Sequence, residues 1–273
     1  MTGWRRAGRI AAVVSWGLWM ASVLTVRERF GARTDLGALR LRSMQRFMAA
    51  LSSALGLEIR VAGAIPREPM LWLSNHVSWL DIPVMGQLTP IAFLSKDNVR
   101  QWPIAGWLAH HAGTLFVRRG ASEHGGVREQ MASHLRAGRA LLMFPEGTTT
   151  EGQDVATFHG RLLACAVETR TRIQPVAIRY LRDGVLDPIA PFLGEDNLLS
   201  HLKRFLRHGP GIIEVRLLAP LASGGQSRNA LARASQSAIR QALLAAPLPV
   251  NATASGEPER SSAELDRTPG SLQ

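Results

Sequence analysis

From residue 57 onward, the chain alternates short apolar runs with longer segments of helical pattern. The apolar runs predict buried strands at Glu58–Ala62, Met70–Leu73, Ile91–Leu94, Thr114–Val117, Ala140–Phe144, Ile173–Tyr180 and Ile212–Leu218. The segments between them predict helices at Trp79–Leu88, Ile104–His110, Ser122–Arg136, His159–Thr169, Asn197–Leu206 and Arg228–Leu244. This alternation predicts one α/β domain over residues 57–246, with a central, mostly parallel or mixed sheet flanked by helices.

The N-terminal part of the chain contains an uncharged apolar segment, Ile10–Val26, which is bracketed by arginines. It is at the short end of what crosses a bilayer, where about 20 residues are typical. The segment could span the membrane, lie in one leaflet, or serve as a signal peptide. The signal peptide is the least favoured of the three, because no clear small-x-small cleavage site precedes a polar start.

A second segment, Leu36–Gly56, has apolar residues at three- and four-residue steps with arginines largely between them. This pattern is typical of a helix packed on a core, but beside an uncharged, Trp-containing helix it also fits the second arm of a membrane anchor. We therefore predict a membrane-associated two-helix segment over residues 1–56. Residues 247–273 are polar and lack apolar periodicity, which predicts a disordered tail.

The charge of the chain limits the classes of molecule that it could bind. The net charge is +11, and of the 32 basic residues only Lys96 and Lys203 are lysines. Such a charge attracts nucleic acid or anionic lipid, but the arginines of the first fifty residues lie beside apolar segments, which favours membrane lipid and no nucleic acid. A single cysteine, Cys165, excludes an intramolecular disulfide and points to the cytoplasmic face of the inner membrane. Nothing in the sequence fixes the oligomeric state.

The stretch LSNHVSWLD joins a predicted buried strand to the next helix. Ligand and catalytic groups in α/β folds collect at such strand ends. If His76 lies in the loop and Asp81 in the first helical turn, the carboxylate can bind one ring nitrogen and leave the other free as a general base. The spacing of these two residues therefore predicts the base and its orienting acid.

Three other interpretations of the same stretch stay open. Ser78 could be the N-cap of the helix, with Asp81 at its third position. His76 could bind a metal ion with His110 and His111, although their spacing specifies no metal site. Ser78 could also be a nucleophile, but no glycine elbow surrounds it.

A second polar cluster, FPEGTTT, follows another predicted strand. Pro145 and Gly147 predict a tight turn, which presents Glu146 and the hydroxyl groups of the following threonines at the strand end. Because two strands end in polar clusters, the clusters could face a common crevice.

At this point the sequence resembles a known family, the glycerophospholipid acyltransferases typified by 1-acylglycerol-3-phosphate acyltransferase. Four blocks of that family occur in order. The first, NHxSxxD, is matched by Asn75, His76, Ser78 and Asp81; the second, GxxFxxR, by Gly113, Phe116 and Arg119; the third by FPEGTTT, Phe144–Thr150; and the fourth by IQPVAI, Ile173–Ile178.

The resemblance implies roles for these residues. His76, oriented by Asp81, would take the hydroxyl proton of a lysophospholipid, which would attack the thioester of acyl-CoA or acyl-carrier protein. The implied substrate-binding residues are Asn75, Ser78, Gly113, Phe116, Arg119, Glu146, Gly147 and Thr148, with Arg119 on the acceptor's phosphate. The reaction implies no metal and no cofactor besides the acyl donor.

Two departures from the family pattern concern the acceptor. Thr149 stands where the family commonly has arginine. His159 follows Phe158, at a position where the family often has a lysine. The resemblance favours 1-acyl-sn-glycerol-3-phosphate, which would give phosphatidic acid. Because both departures remove positive charge, another lysolipid such as lyso-ornithine lipid is the alternative. A basic lipid-binding membrane protein without catalysis is less favoured, because it has no use for an ordered His-Asp pair.

Overall fold

The computed structural model describes residues 3–30, 36–102, 104–117, 124–194 and 196–249. Within these ranges, eight strands form a central sheet. They are β1 (Glu58–Ala62), β2 (Leu71–Ser74), β3 (Ile91–Lys96), β4 (Leu115–Val117), β5 (Ala140–Met143), β6 (Ile173–Arg182), β7 (Val185–Leu186) and β8 (Ile212–Leu217).

The sheet is mixed, as the sequence predicts. Its strand order is β1-β8-β6-β2-β5-β3-β4, and the short strand β7 pairs with β6. Strands β2, β3, β4 and β5 run parallel to their neighbours. Strand β6 is parallel to β2 but antiparallel to β7 and β8, and β8 is parallel to β1. Because β2 lies between β5 and β6, the residues after these strands reach one edge of the sheet, where α/β folds bind their ligands.

The helices of the described ranges agree with the prediction in number and place, apart from their ends and one short addition. They are α1 (Gly3–Arg29), α2 (Leu36–Leu55), α3 (Asp81–Gly86), α4 (Asp97–Arg100), α5 (Ala105–His111), α6 (His124–Arg136), α7 (Ala164–Thr169), α8 (Leu198–His208) and α9 (Arg228–Leu244), with a 3₁₀ helix at Gly160–Leu163 before α7. The addition, α4, is too short for periodicity to detect.

Strand β2 is buried on both faces, which explains why its sequence is an unbroken apolar run. Leu71 and Leu73 pack with one core cluster, on the side of α6, α7 and α9. Trp72 points to the opposite face and packs with the second cluster, on the side of α3 and α8. The alternation follows from the two-residue period of a strand.

Helices α1 and α2 pack against each other and against the α/β domain. The close approach requires a glycine, because a Cβ at Gly17 would lie 2.5 Å from the ring of Phe47. The apolar face of α2 is buried, as expected of a helix packed on a core. Helix α1 instead keeps large apolar side chains exposed, including Trp4 and Trp19, and within the described ranges it is the one helix long and apolar enough to cross a membrane.

Some of the sequence predictions concern residues outside the described ranges. They are the role of Arg119, the start of the helix predicted from Ser122, and residues 250–273 of the predicted tail.

Candidate active site

The loop after β2 is anchored by Asn75. This residue is fully buried, and its side-chain amide forms two hydrogen bonds with the backbone of Ile178 on β6, one as donor and one as acceptor, each 2.9 Å long. These two hydrogen bonds extend the pairing of β2 with β6 by one residue, through a side chain instead of the backbone. Asn75 thus fixes the point at which the chain leaves the sheet, directly before His76.

His76 and Asp81 form the pair that their spacing predicts. The Nδ1 atom of His76 lies 2.7 Å from Oδ2 of Asp81. Because a carboxylate accepts hydrogen bonds, Nδ1 carries the proton and Nε2 keeps its lone pair. The ring stacks on Phe144, with centroids 3.9 Å apart. None of the described residues forms a hydrogen bond with Nε2, so this atom can accept a proton from a substrate.

The carboxylate of Asp81 is fully buried and accepts four hydrogen bonds. Besides His76, its Oδ2 accepts from the backbone N–H groups of Val77 at 2.8 Å and Ser78 at 3.1 Å. Its Oδ1 accepts from the hydroxyl of Tyr180 at 2.6 Å. Burial, followed by the nearby charge of Asp81, raises the pKa of Tyr180 well above its usual value, so the phenol keeps the proton that it donates.

The interpretation of Ser78 as a helix cap is wrong. Helix α3 begins at Asp81, after Leu80, and no side chain caps it. The carboxylate of Asp81 binds backbone N–H groups of the loop before the helix. The hydroxyl of Ser78 is buried and forms no hydrogen bond with any described residue.

Glu146 ties the two polar clusters together. Its Oε1 accepts from the backbone N–H of His76 at 2.6 Å, and its Oε2 accepts from that of Ala156 at 2.8 Å. Burial raises the pKa of Glu146, and the two backbone hydrogen bonds oppose that shift. In the same region, the backbone N–H of Thr150 donates to the carbonyl of His76 at 2.8 Å. The two strand ends therefore share one crevice, as the sequence suggests.

The turn after Glu146 depends on a glycine. Gly147 has a φ of 68°, a conformation that L side chains rarely adopt, and its N–H donates to the carbonyl of Phe144. Gly147 and Thr148 are exposed at this turn. The hydroxyl of Thr149 donates instead to the carbonyl of Phe192, so it is directed into the protein.

A cavity of about 650 Å³ with a mixed lining opens beside this turn, and we call it the polar cavity because cationic side chains line it. Its walls include Phe144, Gly147 and His159, and three cationic side chains, those of Lys96, Arg161 and Arg228, also line it. The lining contains no carboxylate from the described residues. His76 does not line this cavity but stacks on Phe144, which does.

An apolar cavity of about 390 Å³ lies between the N-terminal helices and the sheet. Residues from α1, α2, α5 and α8 line it, and Trp79 belongs to its wall. The indole N–H of Trp79 donates to Nδ1 of His201 at 3.0 Å, and Nε2 of His201 lies 3.1 Å from the carbonyl of Pro191. Ser95 on β3 lines both cavities, which places the two side by side.

The second block of the resemblance reaches the cavities through residues other than those of its motif, because Thr114 lines the apolar cavity and Val117 lines the polar cavity. Gly113 has a φ of 83° at the turn before β4. The ring of Phe116 lies 5.8 Å below the guanidinium of Arg100. Neither Gly113 nor Phe116 lines either cavity.

Neither a metal site nor a cysteine nucleophile is found among the described residues. His110 and His111 contact each other edge to face, and no group of three His, Cys, Asp or Glu side chains there could hold a metal ion. Cys165 is buried, and burial raises the pKa of its thiol to about 12. Within the described residues, His76 could therefore act as a general base, and no cysteine there is suited to act as a nucleophile.

Four residues near the site were not identified from the sequence. Tyr180 is the only tyrosine of the chain and lies in a predicted strand, where an aromatic residue indicates packing. Lys96 is one of two lysines and ends a strand, and this combination could have indicated a residue of the site. Arg161 and Arg228 have no distinguishing motif in an arginine-rich chain.

The chain is similar to known proteins in sequence and in fold. A family model described as Acyltransferase matches residues 57–179. A lyso-ornithine lipid O-acyltransferase of Pseudomonas aeruginosa is 50% identical over 244 residues, which cover 89% of this chain and 94% of that protein. A 1-acyl-sn-glycerol-3-phosphate acyltransferase of Neisseria gonorrhoeae is 30% identical over 146 residues, which cover 51% and 57%. The crystal structure of the acyltransferase PlsC of Thermotoga maritima shares the fold, with a TM-score of 0.60, 19% identity and coverage of 87% and 96%.

Proposed function

The chain belongs to the acyltransferase family and is an O-acyltransferase, and we propose that its acceptor is a lyso-ornithine lipid. The observation that carries this proposal is the 50% identity to a lyso-ornithine lipid O-acyltransferase over nearly the whole of both chains. Thr149 supports it, because its hydroxyl is bound to the carbonyl of Phe192 and adds no positive charge for a phosphate.

In the proposed reaction, Nε2 of His76 removes the proton from the acceptor's hydroxyl group. The oxygen attacks the carbonyl carbon of the acyl thioester, and the thiolate of the donor leaves. Asp81 holds the imidazole in the required tautomer and stabilises the imidazolium that forms. The thioester, carried by coenzyme A or by acyl-carrier protein, is a substrate, and the step needs no cofactor.

The two cavities provide places for the two substrates. The apolar cavity would hold the fatty acyl chain, because its lining is almost entirely hydrocarbon and aromatic. The polar cavity would hold the acceptor's headgroup. Their shared border at Ser95 brings both substrates to one region of the sheet, and this proximity would contribute much of the rate acceleration.

We further propose that the enzyme acts at the cytoplasmic face of the inner membrane. Exposed Trp4, Trp16 and Trp19 on α1 are suited to the membrane–water interface, where aromatic rings concentrate. The apolar cavity includes Ile10 and Val14 of the same helix, so a lipid chain could enter the cavity from the membrane.

A second candidate acceptor is 1-acyl-sn-glycerol-3-phosphate. It is favoured by the similarity to the Neisseria gonorrhoeae enzyme, whose name states this acceptor. The two candidates share a free hydroxyl group and an anionic group, so the mechanism at His76 would be the same, although the ornithine headgroup also keeps one amine as an ammonium. They differ in the anion, which is a carboxylate in one and a phosphate in the other.

The test is transfer of a labelled acyl group from acyl-CoA, and separately from acyl-carrier protein, to a panel of acceptors. Membranes carrying wild type or His76→Ala would be given lyso-ornithine lipid, 1-acyl-sn-glycerol-3-phosphate or lysophosphatidylcholine. We expect the wild type to prefer lyso-ornithine lipid and the variant to transfer almost nothing. A preference for the phosphate acceptor would favour the second candidate, and full activity of His76→Ala would contradict the mechanism.

A further inference from the structure

Two arginines at the polar cavity differ from the ion-paired arginines of the α/β domain. Arg179, Arg182 and Arg240 form ion pairs with carboxylates at 2.6, 2.9 and 2.6 Å. Arg161 and Arg228, by contrast, form no ion pair with any described residue, although both line the cavity. A guanidinium in a concave site without a protein counter-ion is available to an anionic ligand.

The backbone holds these two arginines close together. Arg161 follows Gly160 in the 3₁₀ helix, and Arg228 is the first residue of α9. A Cβ at Gly160 would lie 3.0 Å from the carbonyl oxygen of Arg228 and 3.0 Å from Oδ1 of Asn229. The absence of a side chain at Gly160 therefore lets the two elements approach, which brings both arginines to one wall.

Lys96 adds a third positive charge to the same cavity from the end of β3. Arg161 and Arg228 lie in a concave site whose lining from the described residues contains no carboxylate, and their charges create a positive potential that attracts an anion. The cavity also includes Phe144, on which the ring of His76 stacks. An anion bound here would thus lie beside the catalytic base.

We propose that Arg161 and Arg228 bind the anionic group of the acceptor's headgroup, in place of the arginine that Thr149 replaces. The proposal rests on the proposed function. Ornithine that is acylated on one amine keeps a carboxylate, and a guanidinium binds a carboxylate through two parallel hydrogen bonds. The phosphate of 1-acyl-sn-glycerol-3-phosphate offers the same chemistry, so the experiment must separate the two anions.

The experiment measures acceptor and donor kinetics of Arg161→Gln, Arg228→Gln and the double variant in mixed micelles. With lyso-ornithine lipid, we expect the acceptor KM of the double variant to rise by about 10- to 100-fold, as for loss of charge-assisted hydrogen bonds. Both kcat and the KM for acyl-CoA should change little, because neither arginine contacts the base or is assigned to the donor. Arg233→Gln is the matched control, since Arg233 lies exposed on α9 outside the cavity.

A second arm uses the acceptor whose carboxylate is methylated. The wild type should use this ester as poorly as the double variant uses the free acid, and the arginine substitutions should no longer matter. The double substitution to lysine keeps the charge and should restore part of the affinity, which would separate loss of binding from failure to fold.

Three results would contradict the proposal. They are an acceptor KM of the double variant within twofold of wild type, a rise confined to the KM for acyl-CoA, and equal use of the acid and its ester. If the wild type acylates 1-acyl-sn-glycerol-3-phosphate and not lyso-ornithine lipid, the acceptor assignment fails, and the same KM comparison with the phosphate acceptor decides the role of the arginines.

Discussion

Two polar regions meet at Phe144, and they are built in opposite ways. In the first, the loop from His76 to Asp81, the carboxylate is fully buried and each of its oxygens accepts a hydrogen bond from the protein. In the second, the polar cavity, Arg161 and Arg228 have no ion pair with any described residue.

In the proposed mechanism, this difference separates the region that carries out the reaction from the region that binds the acceptor. A general base must be held in one orientation before the substrate arrives, because misplacement by about 1 Å costs roughly a factor of 100 in rate. The cations of a binding cavity gain from staying unpaired, because a protein counter-ion would compete with the substrate's anion. Changes in the first region should therefore lower kcat, and changes in the second should raise the acceptor KM.

The largest expected effect comes from removing the base. His76→Ala should lower kcat by about 10²- to 10⁴-fold, the usual contribution of general base catalysis. The acceptor KM should change little, since His76 does not line the polar cavity. Initial rates with varied acceptor check this, with His208→Ala as a control because His208 is exposed on α8. A large rise in the acceptor KM at unchanged kcat would contradict the separate roles of the two regions.

Tyr180→Phe tests whether the hydrogen bonds around Asp81 matter for rate. The substitution keeps the ring and removes the donor that lies 2.6 Å from Oδ1 of Asp81. A hydrogen bond to a charged group contributes about 1.5–3 kcal/mol, so we expect kcat to fall by roughly 10- to 100-fold. Tyr180 acts through Asp81 and not on the substrate, and the KM for the acceptor should stay near that of wild type.

A purely structural role for Tyr180 would give a different result. The variant would then lose thermal stability while its folded fraction kept the kcat of wild type. Measuring the melting temperature and the active fraction together with kcat separates these outcomes.

Tyr180 also illustrates what the sequence could and could not predict. The strands, most helices and the His76–Asp81 pair follow from local signals, because periodicity and spacing are properties of neighbouring residues. The contact between Asp81 and Tyr180 joins residues 99 positions apart. Only the pairing of β2 with β6 brings them together, and the sequence does not state which strands are neighbours.

The polar cavity shows the same limit. The sequence shows that Thr149 removes a positive charge that the family commonly has. It does not show which cations line the cavity, because these come from three separate elements, β3, the 3₁₀ helix and α9. Their assembly depends on close backbone approach at Gly160, which no local pattern reveals. Similarly, Glu146 was expected to shape the acceptor site, and the structure shows both of its oxygens bound to backbone N–H groups.

Filling the apolar cavity should change a third property, the choice of acyl chain. Ala109 lines this cavity, and Ala109→Phe would occupy part of it. Each methylene that no longer fits loses about 0.8 kcal/mol of burial, or roughly fourfold in preference. We expect kcat/KM to shift toward shorter acyl donors, measured by competition between donors of different length. Ala234→Phe, at an exposed position of α9, is the control. An unchanged chain-length profile would contradict the assignment of this cavity to the acyl chain.

The smallest expected effect concerns the wall between the catalytic loop and the apolar cavity. Burial, together with the charge of Arg204, lowers the pKa of His201, and the hydrogen bond with the carbonyl of Pro191 and the carboxylate of Asp196 partly oppose this shift. Below about pH 6.5, the unfolded chain takes up a proton that the folded His201 does not, so stability should fall as the pH drops through this range. Its Nδ1 accepts from Trp79 and cannot do so once protonated.

His201→Gln isolates this contribution, because a glutamine can accept from Trp79 and donate to the carbonyl of Pro191 without titrating. The decrease in melting temperature between pH 7.5 and pH 5.5 should be smaller in the variant than in the wild type. His110 and His134, whose pKa values burial also lowers, are present in both proteins and cancel in the difference. If both proteins lose the same stability, folding does not lower the pKa of His201, and the proposed link between its protonation and the wall at Trp79 is contradicted.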